Sequence, residues 1–341
     1  MTMRSLAAVA AVFGAAACNG ADLGRYMLPD ADVMLVTVRD ATKEGAFEKE
    51  FGSSVSGLKV EDMLQEAIAD AAKEGAKAPD VEGYALLVTG GVTRVETAIS
   101  AKAVPGSNGE PDVDVSIAAA GFKNLDKLFQ KLAADFPEEI KLEGGVLSPV
   151  KQDDVPVKIW VEDGVLRIAA GKKATTVKAK AASTFAPDSA FGRLLAKASG
   201  NHSYAGLRIK DLVGVVKRFT PADKFEQMKK DDDVSSFLKL GSAGIDIIEN
   251  ETEPLLDIMV SLKFDTEETA TDIAEKIAGY KQLGLATIKE SEDALDKESS
   301  EKLTKLLKGV KIATRGSELC VKISVDARDL GTSIKKAAES K

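Results

Sequence analysis

The chain has few of the residues from which catalytic and metal sites are usually built. Its 341 residues include one histidine and two cysteines, Cys18 and Cys320, which have no metal-ligand spacing. A single histidine excludes a His-rich zinc site, and no nucleophile elbow, P-loop or dinucleotide-binding glycine pattern occurs. We therefore predict no catalytic residue, no metal and no cofactor.

Aromatic residues and excess positive charge are also scarce. Phe, Trp and Tyr make up 5% of the chain, and the formal net charge is −8. A nucleic-acid binder needs a basic surface for phosphates and, for single strands, aromatic platforms for bases. The composition therefore excludes nucleic acid as an expected partner.

No apolar run reaches the length of about 20 residues that a membrane-spanning helix needs. The longest run at the N-terminus covers residues 6–17 and follows a single basic residue, Arg4. A short apolar run after a positive charge, ending in small residues, is typical of a secretory signal. We assign residues 1–17 to a signal peptide and expect the protein to be exported.

The end of this run, Ala15-Ala16-Ala17-Cys18, resembles the lipobox of bacterial lipoproteins, although Ala15 replaces the usual leucine. The resemblance is limited to the signal segment. It implies lipidation of Cys18, attachment to a membrane through that lipid, and a periplasmic or outer-envelope location. Cleavage by an ordinary signal peptidase before Cys18 is the alternative.

The remaining chain alternates short strands with amphipathic helices. We expect a tether at 18–30 and an α+β fold with two loosely repeated halves, 31–183 and 184–341. Paired strands followed by helices favour antiparallel sheets, each with helices packed on one face. Predicted elements include a helix at Val60–Glu74, a hairpin at Gly90-Gly91 and a helix capped by Asp265.

Two similar hairpins are the evidence for the repeat. One turns at Asp163-Gly164 and the other at Arg315-Gly316, and each is preceded by a strand that leads into an amphipathic helix. Coincidence between unrelated hairpins is the alternative explanation.

Trp160 and Arg167 are the candidate partner-binding residues. The register set by the turn at Asp163-Gly164 places them opposite each other on a half-polar face. Such a pair forms a cation–π contact within the fold or anchors a partner, and the structural interpretation is favoured.

The remaining polar motifs have simple structural explanations. His202 lies in a loop, and we expect it to be exposed and without a buried carboxylate partner. The acidic run Asp231-Asp232-Asp233 lacks the spacing of a calcium loop. Lys172 and Lys173, which follow Gly171, are interpreted as solvated side chains rather than as an anion site.

Together these observations predict a non-enzymatic envelope lipoprotein that acts as a binding or interaction module for an unknown ligand or protein partner. Two alternatives remain open. The first is a secreted hydrolase with a site near His202. The second is a periplasmic carrier that holds an apolar molecule between sheet and helices.

Overall fold

The computed structural model describes residues 22–40, 42–54, 92–105, 111–151, 155–183, 185–230, 235, 237–250, 252–290 and 297–339. These residues form twelve strands and eight α-helices, so the chain is α+β as predicted. The helix predicted at Val60–Glu74, the hairpin predicted at Gly90-Gly91, and Cys18 lie outside the described residues.

All twelve strands join one antiparallel sheet. In chain order they are β1 (Val33–Asp40), β2 (Arg94–Pro105), β3 (Pro111–Ala120), β4 (Ile140–Glu143), β5 (Val146–Pro149), β6 (Val157–Glu162), β7 (Val165–Ala170), β8 (Ser203–Ile209), β9 (Leu240–Glu249), β10 (Leu255–Phe264), β11 (Lys311–Arg315) and β12 (Glu318–Asp326).

The helices described are α1 (Ala46–Ser54), α2 (Leu125–Asp135), α3 (Ala190–Gly200), α4 (Leu212–Phe219), α5 (Ala222–Met228), α6 (Glu267–Glu290), α7 (Lys297–Gly309) and α8 (Ala327–Glu339). A 3₁₀ turn, Leu23–Tyr26, precedes the first strand.

The sheet is continuous because β1 pairs with β8 at its centre. Its strand order is β11-β12-β10-β9-β8-β1-β2-β3-β7-β6-β5-β4. We expected a separate sheet in each half, and the structure differs. An unpaired strand edge leaves its backbone donors and acceptors without partners, and the β1–β8 pairing removes two such edges at once.

Helices cover both faces of this sheet, whereas the sequence suggested one. Alternate residues of a strand point to opposite faces, and they enter different cores. On what we call the α3 face, Val36, Ala118 and Ala169 pack with Phe191 and Leu194 of α3. The opposite face, the α2 face, carries the cores beneath α2 and α6, which include Leu128, Ile168 and Ile273.

The segment predicted to be a tether is part of the fold from Leu23 onward. Leu23, Tyr26, Met27 and Leu28 are all at most 3% exposed and belong to the core of the α3 face. Their apolar side chains cover the sheet beside α3. The described part of the segment 18–30 is therefore a packed element.

One aliphatic side chain from every strand forms a continuous row across the α2 face. Directly paired residues of an antiparallel sheet lie on the same face, and here each pair is aliphatic. In sheet order the row is Ile312, Val321, Val260, Ile245, Leu207, Leu35, Ile99, Ile117, Ile168, Ile159, Leu147 and Leu142. The α2 and α6 cores include the ends of the row, and its five central members belong to neither.

Local signals predicted several element boundaries and missed others. The turn at Asp163-Gly164 is confirmed, with φ values of 52° and 75° that suit a tight hairpin. Helix α6 is capped by Thr266, whose Oγ1 accepts a hydrogen bond from the Thr269 amide, and not by Asp265.

Candidate functional site

Trp160 and Arg167 lie opposite each other, as the register predicted. The Arg167 guanidinium carbon is 4.8 Å from the centre of the Trp160 ring and 4.7 Å from that of Tyr26. Arg167 also donates to the backbone oxygen of Tyr26 at 3.2 Å. The cation therefore makes cation–π contacts with both rings and joins the N-terminal segment to the sheet.

This arginine is fully buried, and its charge is balanced inside the fold. Its Nη1 lies 2.6 Å from Oε2 of Glu162, while Oε1 of Glu162 accepts from the Ala179 amide at 3.3 Å. Burial lowers the pKa of Arg167, and Glu162 opposes that shift. Because Arg167 is 0% exposed, any contact of this pair with a partner would have to be made through Trp160.

The expectation for His202 is wrong. The side chain is buried, and its Nε2 lies 3.6 Å from Oε2 of Glu249, which is also buried. His202 directly precedes β8, and β9 ends at Glu249 beside that point, so antiparallel pairing brings the two together. Sequence spacing gives no sign of this contact, because the residues come from different strands.

Glu249 also holds the N-terminus of α1. Its Oε1 accepts a hydrogen bond of 3.0 Å from the Glu48 amide, which lies in the first turn of that helix. Gly45 leaves the room that this carboxylate needs, because any side chain there would collide with it. A carboxylate at a helix N-terminus satisfies a free amide and the helix dipole, so this pair serves the packing of α1.

The α3 face contains a cleft between the sheet and α3, with a volume of about 280 Å³. Val36 and Val38 of β1 and Leu195 and Ala198 of α3 form apolar walls, and Glu96 of β2 contributes a carboxyl group. We call this the α3 cleft. Neither His202 nor Glu249 lines it.

Glu96 is the buried acid of the α3 cleft, with 4% of its surface exposed. Burial raises its pKa, although Arg94 opposes this shift through a 2.9 Å ion pair between its Nε and the Glu96 Oε1. A carboxyl with a raised pKa protonates more readily than an ordinary glutamate, and its protonated form donates as well as accepts a hydrogen bond.

Neither Glu96 nor the α3 cleft was predicted from the sequence. Glu96 lies in a strand whose residues alternate between the two faces of the sheet, and Ala98 and Ser100 are buried on the same face as Glu96. The register with β1 therefore decides which face the Glu96 side chain occupies. An acid at an inward position of a strand is the only local signal. The opposite wall comes from a helix about a hundred residues away, which no local pattern connects to Glu96.

Within the described part of the chain, no group of three or more His, Cys, Asp or Glu side chains could hold a metal ion. None of the helices described there combines the length and apolar character needed to cross a membrane.

Comparison with known protein families, with characterised proteins and with solved structures gives no match for this chain.

Proposed function

We propose that the protein is a non-enzymatic binding module of the cell envelope, exported by residues 1–17 and anchored through a lipid on Cys18. We further propose that the α3 cleft is its ligand site. The observation that carries the proposal is a cleft with apolar walls and one buried carboxyl group, Glu96. Ligand pockets typically combine these two features.

The proposed ligand is small, mainly apolar, and carries one polar group that hydrogen-bonds to Glu96. A volume of about 280 Å³ is at the lower end of the range of ligand pockets. This proposal joins the binding-module hypothesis to the carrier alternative, since the ligand would lie between sheet and helix.

Hydrolysis is the less favoured alternative. A general base must reach the bound substrate, and the buried His202–Glu249 pair does not line the α3 cleft. The contact of Glu249 with the α1 amide gives the pair a packing role instead.

The ligand site can be tested with the neutral fluorescent probe N-phenyl-1-naphthylamine. Ala196 lines the cleft and is exposed, so an Ala196→Phe substitution fills the cleft without disturbing the core. We expect at least a tenfold loss of probe affinity, while the control Ala286→Phe, at an exposed position of α6, binds as the wild type does. Equal binding by both variants would contradict the proposal.

The anchor is tested separately by labelling cells with a radioactive fatty acid. We expect label on the wild-type protein, no label on a Cys18→Ser variant, and a mature chain that begins at Cys18. An unmodified wild-type terminus would contradict lipidation.

We also propose that residues 31–183 and 184–341 are related halves. What supports this is the strand order read outward from the central pair, which is β1-β2-β3-β7-β6 on one side and β8-β9-β10-β12-β11 on the other. The β6–β7 and β11–β12 hairpins take corresponding places in these orders. Superposing the two strand sets in an experimental structure tests the proposal, and a best fit that pairs strands out of this order would contradict it.

A further inference from the structure

A strip of lysines crosses the α3 face in a chain whose net charge is negative. Residues 171–183 contain Lys172, Lys173, Lys178 and Lys180 and no acidic residue, and all four lysines are exposed. We call these four side chains the basic strip.

The backbone beneath the basic strip is fixed to the sheet. Ala174 is fully buried, and Val177 and Ala179 pack against the core of the α3 face. The Lys173 amide donates to Oδ1 of Asp114 at 3.1 Å, and the Ala179 amide donates to Glu162. Since Val177 and Ala179 face inward, the intervening Lys178 and the following Lys180 face solvent.

The strip lies beside the N-terminal segment of the fold. The Lys180 amide donates to the Arg25 carbonyl at 3.2 Å, and Nε of Arg25 donates back to the Lys180 carbonyl. Arg25 adds a cation here, and the exposed Asp163 lies 3.4 Å from its Nη2. The buried residues Leu23 and Tyr26 hold this segment in place.

This position limits the distance between the strip and the proposed anchor. Only four residue steps separate Cys18 from Asp22, the first described residue. A fully extended chain covers at most about 14 Å over that length. A lipid on Cys18 would therefore hold this edge of the fold close to the membrane surface.

We propose that the basic strip docks on anionic lipid headgroups of the membrane that holds the Cys18 lipid. The inference rests on the proposed lipidation of Cys18 and adds the face that the protein turns to the membrane. Basic side chains near an anionic surface strengthen the attachment given by acyl chains, and the combination orients the protein. The charge of the strip is complementary to this surface and opposite to the net charge of the chain.

The test uses Cys18→Ser protein, which carries no lipid, so that the strip acts alone. Sedimentation with vesicles of equal parts phosphatidylglycerol and phosphatidylcholine at low salt should show binding. Pure phosphatidylcholine vesicles should show at least tenfold less binding, and salt should release the protein because it screens the attraction.

The decisive variant replaces all four strip lysines by glutamine. It should bind anionic vesicles at least tenfold more weakly. The matched control replaces Lys127, Lys131, Lys276 and Lys289, which belong to α2 and α6 on the opposite face, and should bind as the parent protein does. Circular dichroism checks that both variants are folded.

Three results would overturn the docking proposal: no binding of the parent to anionic vesicles, equal binding to neutral ones, or equal losses in the two lysine variants. The fatty-acid labelling above is independent of all three. A protein without label that still binds anionic vesicles through the basic strip would contradict lipidation of Cys18 but would support binding of the strip to anionic lipids.

Discussion

Arg167 is a fully buried charged side chain whose ion-pair partner, Glu162, is only partly buried. Its guanidinium is inaccessible, while the side chain of Glu162 retains 29% exposure. Removing one member of a buried ion pair leaves the other charge without compensation, which costs more than the pair contributes.

We therefore predict that Glu162→Gln destabilises the fold by about 2–3 kcal/mol, at the low end for buried pairs because Glu162 is partly exposed. Urea denaturation measures the loss. The double variant Glu162→Leu/Arg167→Met, which removes both charges, should regain most of it. A single variant as stable as the wild type would show that the rings of Trp160 and Tyr26 alone satisfy the cation.

Ionisation of Asp246 makes the free energy of unfolding depend on pH in the acid range. Burial opposes its ionisation most strongly, but hydrogen bonds from Lys197, Tyr204 and Arg208 outweigh burial and lower the pKa of this carboxyl. A folded-state pKa below the unfolded value gives stability that is complete above the unfolded value of 3.8. That stability is lost as pH falls from there through the folded pKa.

We predict that Asp246→Asn costs about 3 kcal/mol at pH 7 and flattens the decline of stability below about pH 4. Unfolding free energies measured from pH 7 down through the acid range check both effects. Asp223→Asn, at an exposed position of α5, is the control and should follow the wild-type curve. A variant curve parallel to the wild type would mean that other carboxyls cause the acid dependence.

At the scale of elements, the aliphatic row on the α2 face is uneven in burial. Ile168 is 2% exposed beneath α2, whereas Ile245, in the centre of the sheet, is 37% exposed. The same side chain in the same kind of strand therefore loses different amounts of water-accessible surface on folding. We expect Ile168→Ala to cost about 2–5 kcal/mol and Ile245→Ala about 1 kcal/mol or less. Similar costs would show that Ile245 is as well packed as Ile168.

Contacts within one hairpin could be predicted from the sequence, whereas contacts between distant segments could not. The hairpin at Asp163-Gly164 and the pairing of Trp160 with Arg167 follow from local turn chemistry and alternation, and the structure has both. The contact between His202 and Glu249 depends on which strands become neighbours. So does the α3 cleft, where Glu96 faces a helix beyond β7. These relations are set by long-range packing, which single-segment patterns do not encode.

At the scale of the whole molecule, the boundary near residue 183 does not separate two cores. Helix α3 follows that boundary, yet Phe191, Leu194 and Ala198 pack with Met34, Val36 and Ala118, which precede it. The β1–β8 pairing joins the same two parts of the chain through backbone hydrogen bonds. We therefore expect the chain to unfold as one cooperative unit despite its length.

Trp160 is the single tryptophan, so its fluorescence follows unfolding of the first half of the chain and makes this expectation testable. Ile273 lies in α6 of the second half, 2% exposed, in a core that shares no residue with the core around Trp160. If the molecule unfolds as one unit, Ile273→Ala lowers the urea midpoint seen by Trp160 fluorescence as much as that seen by far-ultraviolet circular dichroism, with a loss of about 2–5 kcal/mol. If the halves unfold independently, the fluorescence midpoint stays at its wild-type value while the dichroism transition broadens. The shared α3 core and the continuous sheet favour the first outcome. Opening the α6 core also exposes β9, which pairs with β8, and β8 in turn pairs with β1.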